Sequence, residues 1–576
     1  MLTDGVHHSL GIFLSCRSPC EWGLRERAGF WAGVLALLVF ALVTGPRAGH
    51  AQGAEGEPIE ATIDVGADGP TISRHIYGHF AEHLGRDIYG GFWVQRGLES
   101  SGEGAGTPTD LPGGPPGGWK YNEDVIEALR AIDIPNMRWP GGCFADYYHW
   151  KDGIGARAGR PTTINTLWGG VVENNTFGTH EFMGLVERLG AEPVIVGNVG
   201  SGTPEEMAGW WAYLNAEKGQ MAERRAENGR PEPWNVRYWG VGNESWGCGG
   251  HMTPSYYADL YKRFATYLPD YGEGDDPDPF FIAAGPDATL PEGGLFEGGA
   301  AAWTRTVMKK AAPVIDGLDL HRYTVGGTWA DKGSATDFGE DGWFTAMQNT
   351  LRMDTILARH AAIMDEYDPE RRVALIVGEW GMWHEVKEGT TPGFLYQQNA
   401  LRDALVAALH LNIFNRHADR VRMANLAQTV NVLQAMILTR EGEMVKTPTY
   451  HVFDLYQSHM DAMRLPVRLD RGSPYAHEGK TLPAVSASAS KKGGRTHVTL
   501  ANIDPDRPRT VEVTLQGAGA PAEVSGRVLT ADAMNAHNTF DDPDAVTPAP
   551  FDGATLDGRT LTVELPAQSV VALRGE

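Results

Sequence analysis

The sequence predicts an α/β fold, a (β/α)₈ TIM barrel with a C-terminal antiparallel β-sandwich domain that also takes an N-terminal strand. Between residues 76 and 460, short apolar runs alternate with helical stretches eight times, which is typical of a parallel barrel. After about residue 465 the helical period gives way to alternation with a period of two. Residues 59–65 alternate in the same way and precede the barrel. A doubly wound open sheet is the alternative, but eight units favour closure.

The barrel prediction depends on eight strand-like segments separated by helical ones. The predicted strands are Ile76–Ala81, Asn136–Trp139, Pro193–Asn198, Val236–Gly242, Phe280–Ala284, Gly317–His321, Val373–Val377 and Val421–Ala427. Apolar residues recur at helical spacing in three of the intervening segments, which are Asn122–Ile132, Thr179–Leu189 and Phe394–His417. A Gly- and Pro-rich segment, residues 101–118, predicts an irregular excursion after the first strand.

The C-terminal part has strands separated by Gly, Pro and Asp turns. The predicted strands are Thr496–Asn502, Thr510–Leu515, Glu523–Leu529, Thr560–Leu565 and Ser569–Leu573. The resulting organisation has an N-terminal strand region at residues 59–75, a catalytic barrel at 76–460 and a sandwich at 465–576.

The N-terminal region has the pattern of an export signal. Residues 28–45 carry no charge, Arg25 and Arg27 precede them, and small residues lead to Ala51. This pattern predicts a signal peptide at residues 1–51, with cleavage after Ala51 and a periplasmic or secreted protein. The alternative is an uncleaved membrane anchor, because an 18-residue run is close to the shortest that spans a bilayer.

The net charge restricts the binding partners. The chain has 49 Lys and Arg against 73 Asp and Glu, a formal net charge of −24. Phosphate contacts require clustered cations, so nucleic acid is not an expected partner. An anionic membrane surface is equally unsuited to this charge. The hydrophobic content of 42% is that of an ordinary globular chain.

Two glutamates follow predicted barrel strands, where catalytic groups of such barrels lie. Glu244 comes after the fourth strand and Glu379 after the seventh. Cleavage of a glycosidic bond requires two carboxyl groups, one to protonate the leaving oxygen and one to attack the anomeric carbon or activate water. The pair therefore indicates a glycosidase, whereas a single glutamate at a strand end is more often a salt-bridge partner.

The surrounding motifs strengthen this interpretation. They are Ile76–Gly91 (IYGHFAEHLGRDIYGG), Arg138–Gly155 (RWPGGCFADYYHWKDGIG), Glu173–Phe182 (ENNTFGTHEF), Gly190–Gly202 (GAEPVIVGNVGSG), Tyr238–Glu244 (YWGVGNE), Leu320–Tyr323 (LHRY), Gly378–Trp380 (GEW) and Ala427–Asn431 (AQTVN). In this order they resemble the α-L-arabinofuranosidases of glycoside hydrolase family 51. The resemblance implies a retaining, exo-acting enzyme that removes terminal arabinofuranosyl groups from arabinan- or arabinoxylan-type glycans. The alternatives are another retaining glycosidase on this barrel, such as an endo-β-glucanase or a β-xylosidase, and a catalytically silent carbohydrate-binding protein.

The resemblance also implies a role for individual residues. Glu244 corresponds to the general acid/base and Glu379 to the nucleophile. Asn243 corresponds to the residue that holds the sugar 2-hydroxyl, and Tyr323 to the one that orients the nucleophile. The remaining expected site residues are Glu82 and Gln428, which contact sugar hydroxyls, Cys143, which lies beside the substrate, and His321, which supports Tyr323. A salt bridge with Arg86 is the alternative for Glu82, and a barrel-core position is the alternative for His321.

The remaining expectations concern cysteines, cofactors and assembly. With export, Cys143 and Cys248 are expected to form a disulfide beside the sugar subsite, while a buried thiol is the alternative for Cys143. No cofactor or metal is expected, because the mechanism needs none and because strand geometry separates His75, His79 and His83. The resemblance implies a homo-oligomer, often a hexamer. Three tryptophans near the glutamates are candidates for sugar stacking or for core packing, namely Trp246, Trp380 and Trp383.

Overall fold

The structure, a computed structural model, describes residues 57–95, 118–272, 278–293, 296–470 and 472–576. The barrel and the C-terminal domain lie in one compact unit, Ala54–Glu576. Eight parallel strands close the barrel in chain order, which confirms the predicted fold class. Barrel strands one to eight are Gly78–Phe80, Asn136–Trp139, Glu192–Gly197, Tyr238–Val241, Phe280–Ala283, Gly317–Thr324, Ala374–Met382 and Val421–Leu426.

Strands six and seven extend further than the apolar pattern predicts. They pair in parallel beyond a register shift after Asp319, with His321 opposite Glu379 and Tyr323 opposite Gly381. Every residue of both strands is buried, so polar side chains here are enclosed by the barrel and its loops. Glu379 therefore lies inside strand seven, whereas the sequence placed it after the strand.

The helices mostly cover the outside of the barrel. The helices of the described residues are Glu123–Ala131, Thr179–Leu189, Pro204–Asn215, Gln220–Glu227, Pro254–Ala265, Gly299–Ala311, Glu340–Asp365, Leu401–Arg416 and Pro448–Tyr456. Thr179–Leu189 has its predicted bounds, and Glu123–Ala131 lies within the predicted segment. The prediction that a helix begins at Phe394 is wrong. The helix begins at Leu401, because the Asp403 carboxylate accepts the Ala400 backbone N–H at 2.7 Å and caps the first turn there.

The C-terminal domain consists of two sheets. The five-stranded sheet has the order Val467–Leu469, Ile59–Asp64, Arg509–Gln516, Thr560–Leu565 and Ala554–Asp557. The six-stranded sheet has the order Met463–Leu465, Val485–Lys492, Arg495–Asn502, Ser569–Gly575, Val524–Leu529 and Ala549–Phe551. The N-terminal strand joins the first sheet as predicted, in parallel with Arg509–Gln516 and antiparallel to Val467–Leu469.

Four two-stranded ribbons complete the sheets of the described residues. They are Trp93–Gln95 with Trp119–Tyr121, Thr163–Asn165 with Val171–Glu173, Ile437–Arg440 with Glu443–Lys446, and Tyr475–His477 with Lys480–Leu482. The Gly- and Pro-rich excursion predicted at residues 101–118 lies outside the described residues, apart from Gly118. Within the described ranges, none of the helices combines the length and the apolar character that crossing a membrane would require.

The barrel and the sandwich are joined by a polar contact on helix Leu401–Arg416. The Asn412 and Asn415 amides donate to the hydroxyls of Ser486 and Ser488, at 3.2 and 3.1 Å. Small Ser and Ala side chains on strand Val485–Lys492 leave room for the helix to lie close to the sheet. The sandwich thus supports the helix that runs from the loop after strand seven to strand eight.

Candidate active site

Glu244 lies on a tight turn that follows barrel strand four. Its backbone has φ +40°, a left-handed conformation that is costly for a residue with a side chain. The turn is closed by the Gly247 N–H, which donates to the Glu244 carbonyl at 2.7 Å. Asp146 supports it from the neighbouring loop by accepting the backbone N–H of Asn243 at 3.0 Å. The surrounding loops therefore impose the direction in which the Glu244 carboxyl projects.

Glu379 is held by two donors from other strands. The Arg138 guanidinium donates to Oε1 at 2.9 Å, and the Tyr323 hydroxyl donates to Oε2 at 2.9 Å. Arg138 also donates to the side-chain oxygen of Asn243. Together these two hydrogen bonds restrict the rotation of the Glu379 carboxyl group.

His321 lies between the two glutamates. Its Nδ1 atom is 2.9 Å from Oε1 of Glu244 and 3.6 Å from Oε2 of Glu379. The Glu244 oxygen, an oxygen of Glu379 and a nitrogen of His321 all lie within 4.8 Å of one another. On its other side, the imidazole Nε2 is 3.0 Å from Oδ2 of Asp319. The structure therefore brings together the two predicted glutamates and the histidine that was expected to support Tyr323.

Burial and neighbouring charges shift the pKa of Glu244 and that of His321. Burial raises the pKa of Glu244, and the Glu379 charge adds to this, while the hydrogen bond from His321 opposes it. Burial lowers the pKa of His321, but the charges of Glu379 and Asp319 outweigh it and raise that pKa well above its usual value. The site therefore retains a proton close to Glu244.

Glu82 and Gln428 form one wall of the pocket. Oε1 of Glu82 accepts the Gly142 backbone N–H at 2.9 Å and the Trp168 indole N–H at 3.2 Å. Its Oε2 accepts the Gln428 amide at 2.7 Å. Burial and then the Glu379 charge raise the pKa of Glu82 to about 7. These contacts within the pocket favour the sugar-contacting interpretation over a salt bridge with Arg86.

Two buried amide atoms of the pocket residues Asn243 and Gln428 have no hydrogen-bond partner among the described residues. They are Nδ2 of Asn243, a donor, and Oε1 of Gln428, an acceptor. Each of these side chains uses its other polar atom within the site, to Arg138 and to Glu82 respectively. Because a buried polar group without a partner is costly, both atoms are available for hydroxyl groups of a bound sugar.

Cys143 and Cys248 form a disulfide at the mouth of the barrel. It joins the loop after strand two to the turn after strand four. The two sulfur atoms lie 4.0 and 3.6 Å from Oε2 of Glu244, so the disulfide borders the carboxyl group of this residue.

The other singled-out residues have separate environments. His75 is next to Asn136 and Tyr238, whereas the His79 ring packs against Phe453. His83 is hydrogen-bonded to Glu173 at 2.9 Å.

The three tryptophans differ in position. Trp380 is fully buried against His410, Phe414 and Phe453, which is core packing. Trp383 contacts the Tyr323 ring edge-to-face at the mouth. Trp246 is partly buried against the main core.

Several site residues were not singled out from the sequence. Arg138 was inside a quoted motif, and its position in a buried strand already required an anionic partner. Asp319 lies two residues before His321 and so shares its side of strand six, which was a usable signal. Asp146 lies in the short 3-10 helix Cys143–Tyr147 and Trp168 in a turn, and their contacts depend on how the chain returns to the barrel mouth.

Family models match two long parts of the chain. The family model of the α-L-arabinofuranosidase 1 domain matches residues 128–337, and that of the α-L-arabinofuranosidase C-terminal domain matches residues 378–569. A relative from Bacteroides ovatus, named an intracellular exo-α-L-arabinofuranosidase, is 46% identical over 89% of this chain and 95% of its own length.

This relative contradicts the prediction of export, because it is named an intracellular enzyme. The predicted signal peptide, residues 1–51, and its membrane-anchor alternative lie outside the described residues. A short uncharged run after two arginines is a local pattern that does not by itself establish export. We therefore retain neither the signal peptide nor a periplasmic or secreted location.

Solved structures resemble the chain over almost its whole length. The glycoside hydrolase family 51 arabinofuranosidase from Xanthomonas axonopodis pv. citri is 46% identical, with a TM-score of 0.82 over 90% of this chain and 100% of that one. An arabinose complex of the Thermotoga maritima α-L-arabinofuranosidase is 28% identical, with a TM-score of 0.73 over 90% and 99% of the two chains. With its two carboxylates, its barrel and these relatives, the chain belongs to the α-L-arabinofuranosidases of glycoside hydrolase family 51.

Proposed function

We propose that this arabinofuranosidase is exo-acting and cleaves by double displacement, with retention of the anomeric configuration. The observation that carries this proposal is the closeness of the Glu244 and Glu379 oxygens, within 4.8 Å of one another. Retaining glycosidases have carboxyl groups about 5–5.5 Å apart, whereas inverting enzymes need about 6.5–9.5 Å to admit a water molecule. The exo mode is supported by the name of the Bacteroides ovatus relative.

In the first step, Glu379 attacks the anomeric carbon of a terminal arabinofuranosyl group. Glu244 donates its proton to the glycosidic oxygen, the bond to the leaving group breaks, and an arabinosyl ester of Glu379 forms. Arg138 and Tyr323 hold the nucleophile by hydrogen bonds and orient it before the attack. Burial supports the acid role of Glu244 because it raises the pKa of this carboxyl.

In the second step, water replaces the leaving group. Glu244, now ionised, takes a proton from the water, and the oxygen attacks the anomeric carbon while the bond to Glu379 breaks. The ester has removed the charge of Glu379, and this lowers the proton affinity of Glu244 and suits it to act as a base. The product is arabinose with its original anomeric configuration.

The substrate is proposed to be a terminal arabinofuranosyl group of an arabinan- or arabinoxylan-type glycan. Asn243, Glu82 and Gln428 are assigned to the sugar hydroxyls, and the unpartnered amide atoms of Asn243 and Gln428 support this. Cys143 is assigned a place beside the sugar through its disulfide with Cys248. The barrel, residues 76–460, is proposed to carry the chemistry, and the sandwich, residues 465–576, to support it.

The stereochemistry of the first-formed product tests the mechanism. Proton NMR during hydrolysis of an aryl α-L-arabinofuranoside is expected to show the α-anomer before mutarotation. Initial formation of the β-anomer would contradict double displacement. Aryl β-xyloside and glucan substrates, tested in parallel, are expected to be cleaved poorly, and linkage-defined arabino-oligosaccharides will identify the preferred glycosidic bond.

The protein is proposed to form a homo-oligomer. It is also proposed not to bind nucleic acid. The family resemblance implies the oligomer, and the net charge of −24 disfavours polyanion binding. Light scattering of the purified protein is expected to give a multiple of the 62.6 kDa chain mass. A monomer across the working concentration range would overturn this assignment without affecting the catalytic one.

A further inference from the structure

Asp319 lies beneath both glutamates and contacts His321, which reaches Glu244, and Gly378, which precedes Glu379. Its Oδ2 is 3.0 Å from Nε2 of His321, the ring that reaches Glu244. Its Oδ1 accepts the backbone N–H of Gly378 at 2.6 Å, and Gly378 directly precedes Glu379. The fit is close, because a Cβ atom on Gly378 would lie 2.4 Å from the Asp319 oxygens. Asp319 is thus packed into a position between the two halves of the site.

This contact determines which imidazole nitrogen carries a proton. An ionised carboxylate accepts hydrogen bonds only, so Nε2 of His321 must be the N–H that Asp319 receives. In the neutral ring, Nδ1 is then an acceptor, and it lies 2.9 Å from Oε1 of Glu244. The Glu244 carboxyl can donate its proton to Nδ1, or the imidazolium can return it. Glu244 and His321 therefore share one proton, and Asp319 selects the tautomer that allows this.

The electrostatic environment keeps Asp319 ionised. Burial raises the pKa of Asp319, but the charges of His321 and Arg138 and the Gly378 N–H outweigh it and lower that pKa. The other charged or titratable groups that face the Asp319–His321–Glu244 relay are Tyr323 in strand six, Glu379 in strand seven, Asp287 after strand five and Tyr257 in helix Pro254–Ala265.

We propose that Asp319 is a positioning residue that, through His321, keeps the shared proton on the Glu244–His321 pair, from which Glu244 can deliver it, and so sets the alkaline limit of activity. The proposal rests on the proposed function of Glu244 as acid/base. Without the Asp319 charge, the protonated pair loses an anionic neighbour. Nδ1 of His321 can then carry the single ring proton, donate it to Glu244 and stabilise the ionised form, which cannot protonate a leaving group.

The test is Asp319→Asn, which preserves the shape of the side chain. The Asn oxygen can still accept the Gly378 N–H, while its amide donates to Nε2 of His321 and reverses the tautomer. The alkaline limb of the kcat/KM profile is expected to move about 1 pH unit lower, the size of a nearby-charge effect. Above pH 7, the loss should be larger for methyl arabinofuranoside than for 4-nitrophenyl arabinofuranoside, because only the former needs strong protonation.

Asp87→Asn is the matched control. Asp87 is also a fully buried carboxylate at the barrel mouth, and it accepts the backbone N–H groups of Glu82 and Val430 at 2.6 and 2.9 Å. Its removal can disturb the pocket, but none of these contacts involves His321. The alkaline limb of the kcat/KM profile of Asp87→Asn is expected to coincide with that of the wild type, even if the maximal rate of this variant is lower. An equal shift in both variants would overturn the proposal.

A double-mutant cycle with His321→Gln tests whether Asp319 acts through His321, and His321→Gln alone keeps the proposal testable if Asp319→Asn does not fold. If Asp319 acts through His321, Asp319→Asn adds no further shift of the alkaline limb in the His321→Gln background. If Asp319→Asn does not fold, His321→Gln alone must still move the limb to lower pH. Additive shifts, or a uniform loss across pH and leaving groups, would refute the relay. Glu244→Ala distinguishes failure of the Asp319 proposal from failure of the acid/base assignment. If the activity lost in Glu244→Ala does not depend on the leaving group, the acid/base assignment itself is wrong.

Discussion

Replacement of Tyr323 by Phe tests how the nucleophile is stabilised. The Tyr323 hydroxyl donates to Oε2 of Glu379 at 2.9 Å, and both side chains are buried. Burial and then the Glu379 charge raise the pKa of Tyr323 well above its usual value, so the hydroxyl keeps its proton and acts as a donor. A hydrogen bond to a charged group contributes about 1.5–3 kcal/mol. At about 1.4 kcal/mol for each tenfold change in rate, its loss corresponds to roughly a 10- to 150-fold slower step.

The effect is expected mainly in the second step, where Glu379 regains its negative charge as the arabinosyl ester breaks. The assay is stopped-flow hydrolysis of 4-nitrophenyl α-L-arabinofuranoside, which separates a burst of nitrophenol from steady-state turnover. Tyr323→Phe should show a burst followed by turnover slower by that factor. Tyr148→Phe is the control, because the buried Tyr148 hydroxyl has no partner among the described residues. A Tyr323→Phe turnover within about threefold of wild type, or an equal loss in the control, would refute the reasoning.

The remaining predictions concern the acid/base, the nucleophile, the disulfide and the fold. Glu379→Ala should be almost inactive on all substrates, while Glu244→Ala should retain more activity on dinitrophenyl than on methyl arabinofuranoside, as measured by steady-state kinetics; equal losses would contradict the roles. Non-reduced peptide mapping should recover Cys143 linked to Cys248, and two free thiols would contradict the disulfide. Asp403→Asn should lower the free energy of unfolding by about 3 kcal/mol at neutral pH, because Asp403 is buried beside His384 and Arg402. Burial raises the pKa of Asp403, but His384 and Arg402 outweigh it and lower that pKa, so the wild-type advantage is complete above about pH 4 and declines as pH falls further. Chemical denaturation at pH 7 and pH 3 measures this, and a pH-independent difference would contradict it.

The barrel was predictable because its strands are marked locally. Most barrel strands contain short apolar runs between polar loops, and the predicted bounds of Asn136–Trp139 are those observed. Strand Val485–Lys492 was missed because its Ser and Ala residues have low strand propensity. Its conformation is selected by packing, since helix Leu401–Arg416 contacts it through Asn412 and Asn415. Local patterns do not contain this long-range contact.

The same distinction applies to the site. Glu244 and Glu379 were found because strand ends and family motifs identify them. The partners Arg138 and Asp319 were not, because their significance depends on distances that exist only after the barrel closes. Arg138 is 241 residues from Glu379 in the chain, yet its guanidinium is 2.9 Å from the carboxylate. Sequence thus identifies the reacting groups better than the groups that control their charge.

Glu244 and Glu379 are held in physically different ways, and this difference suits the tasks proposed for them. Glu379 lies within a strand paired on both sides and accepts hydrogen bonds from Arg138 and Tyr323, so its carboxyl group is held in one orientation. Glu244 lies on a turn, at φ +40°, with its carboxyl next to a histidine that can take or return a proton. A nucleophile must keep its charge, whereas an acid/base must gain and lose one in every cycle. The rigid strand therefore carries the group whose charge is constant before attack, and the supported turn carries the group whose protonation changes.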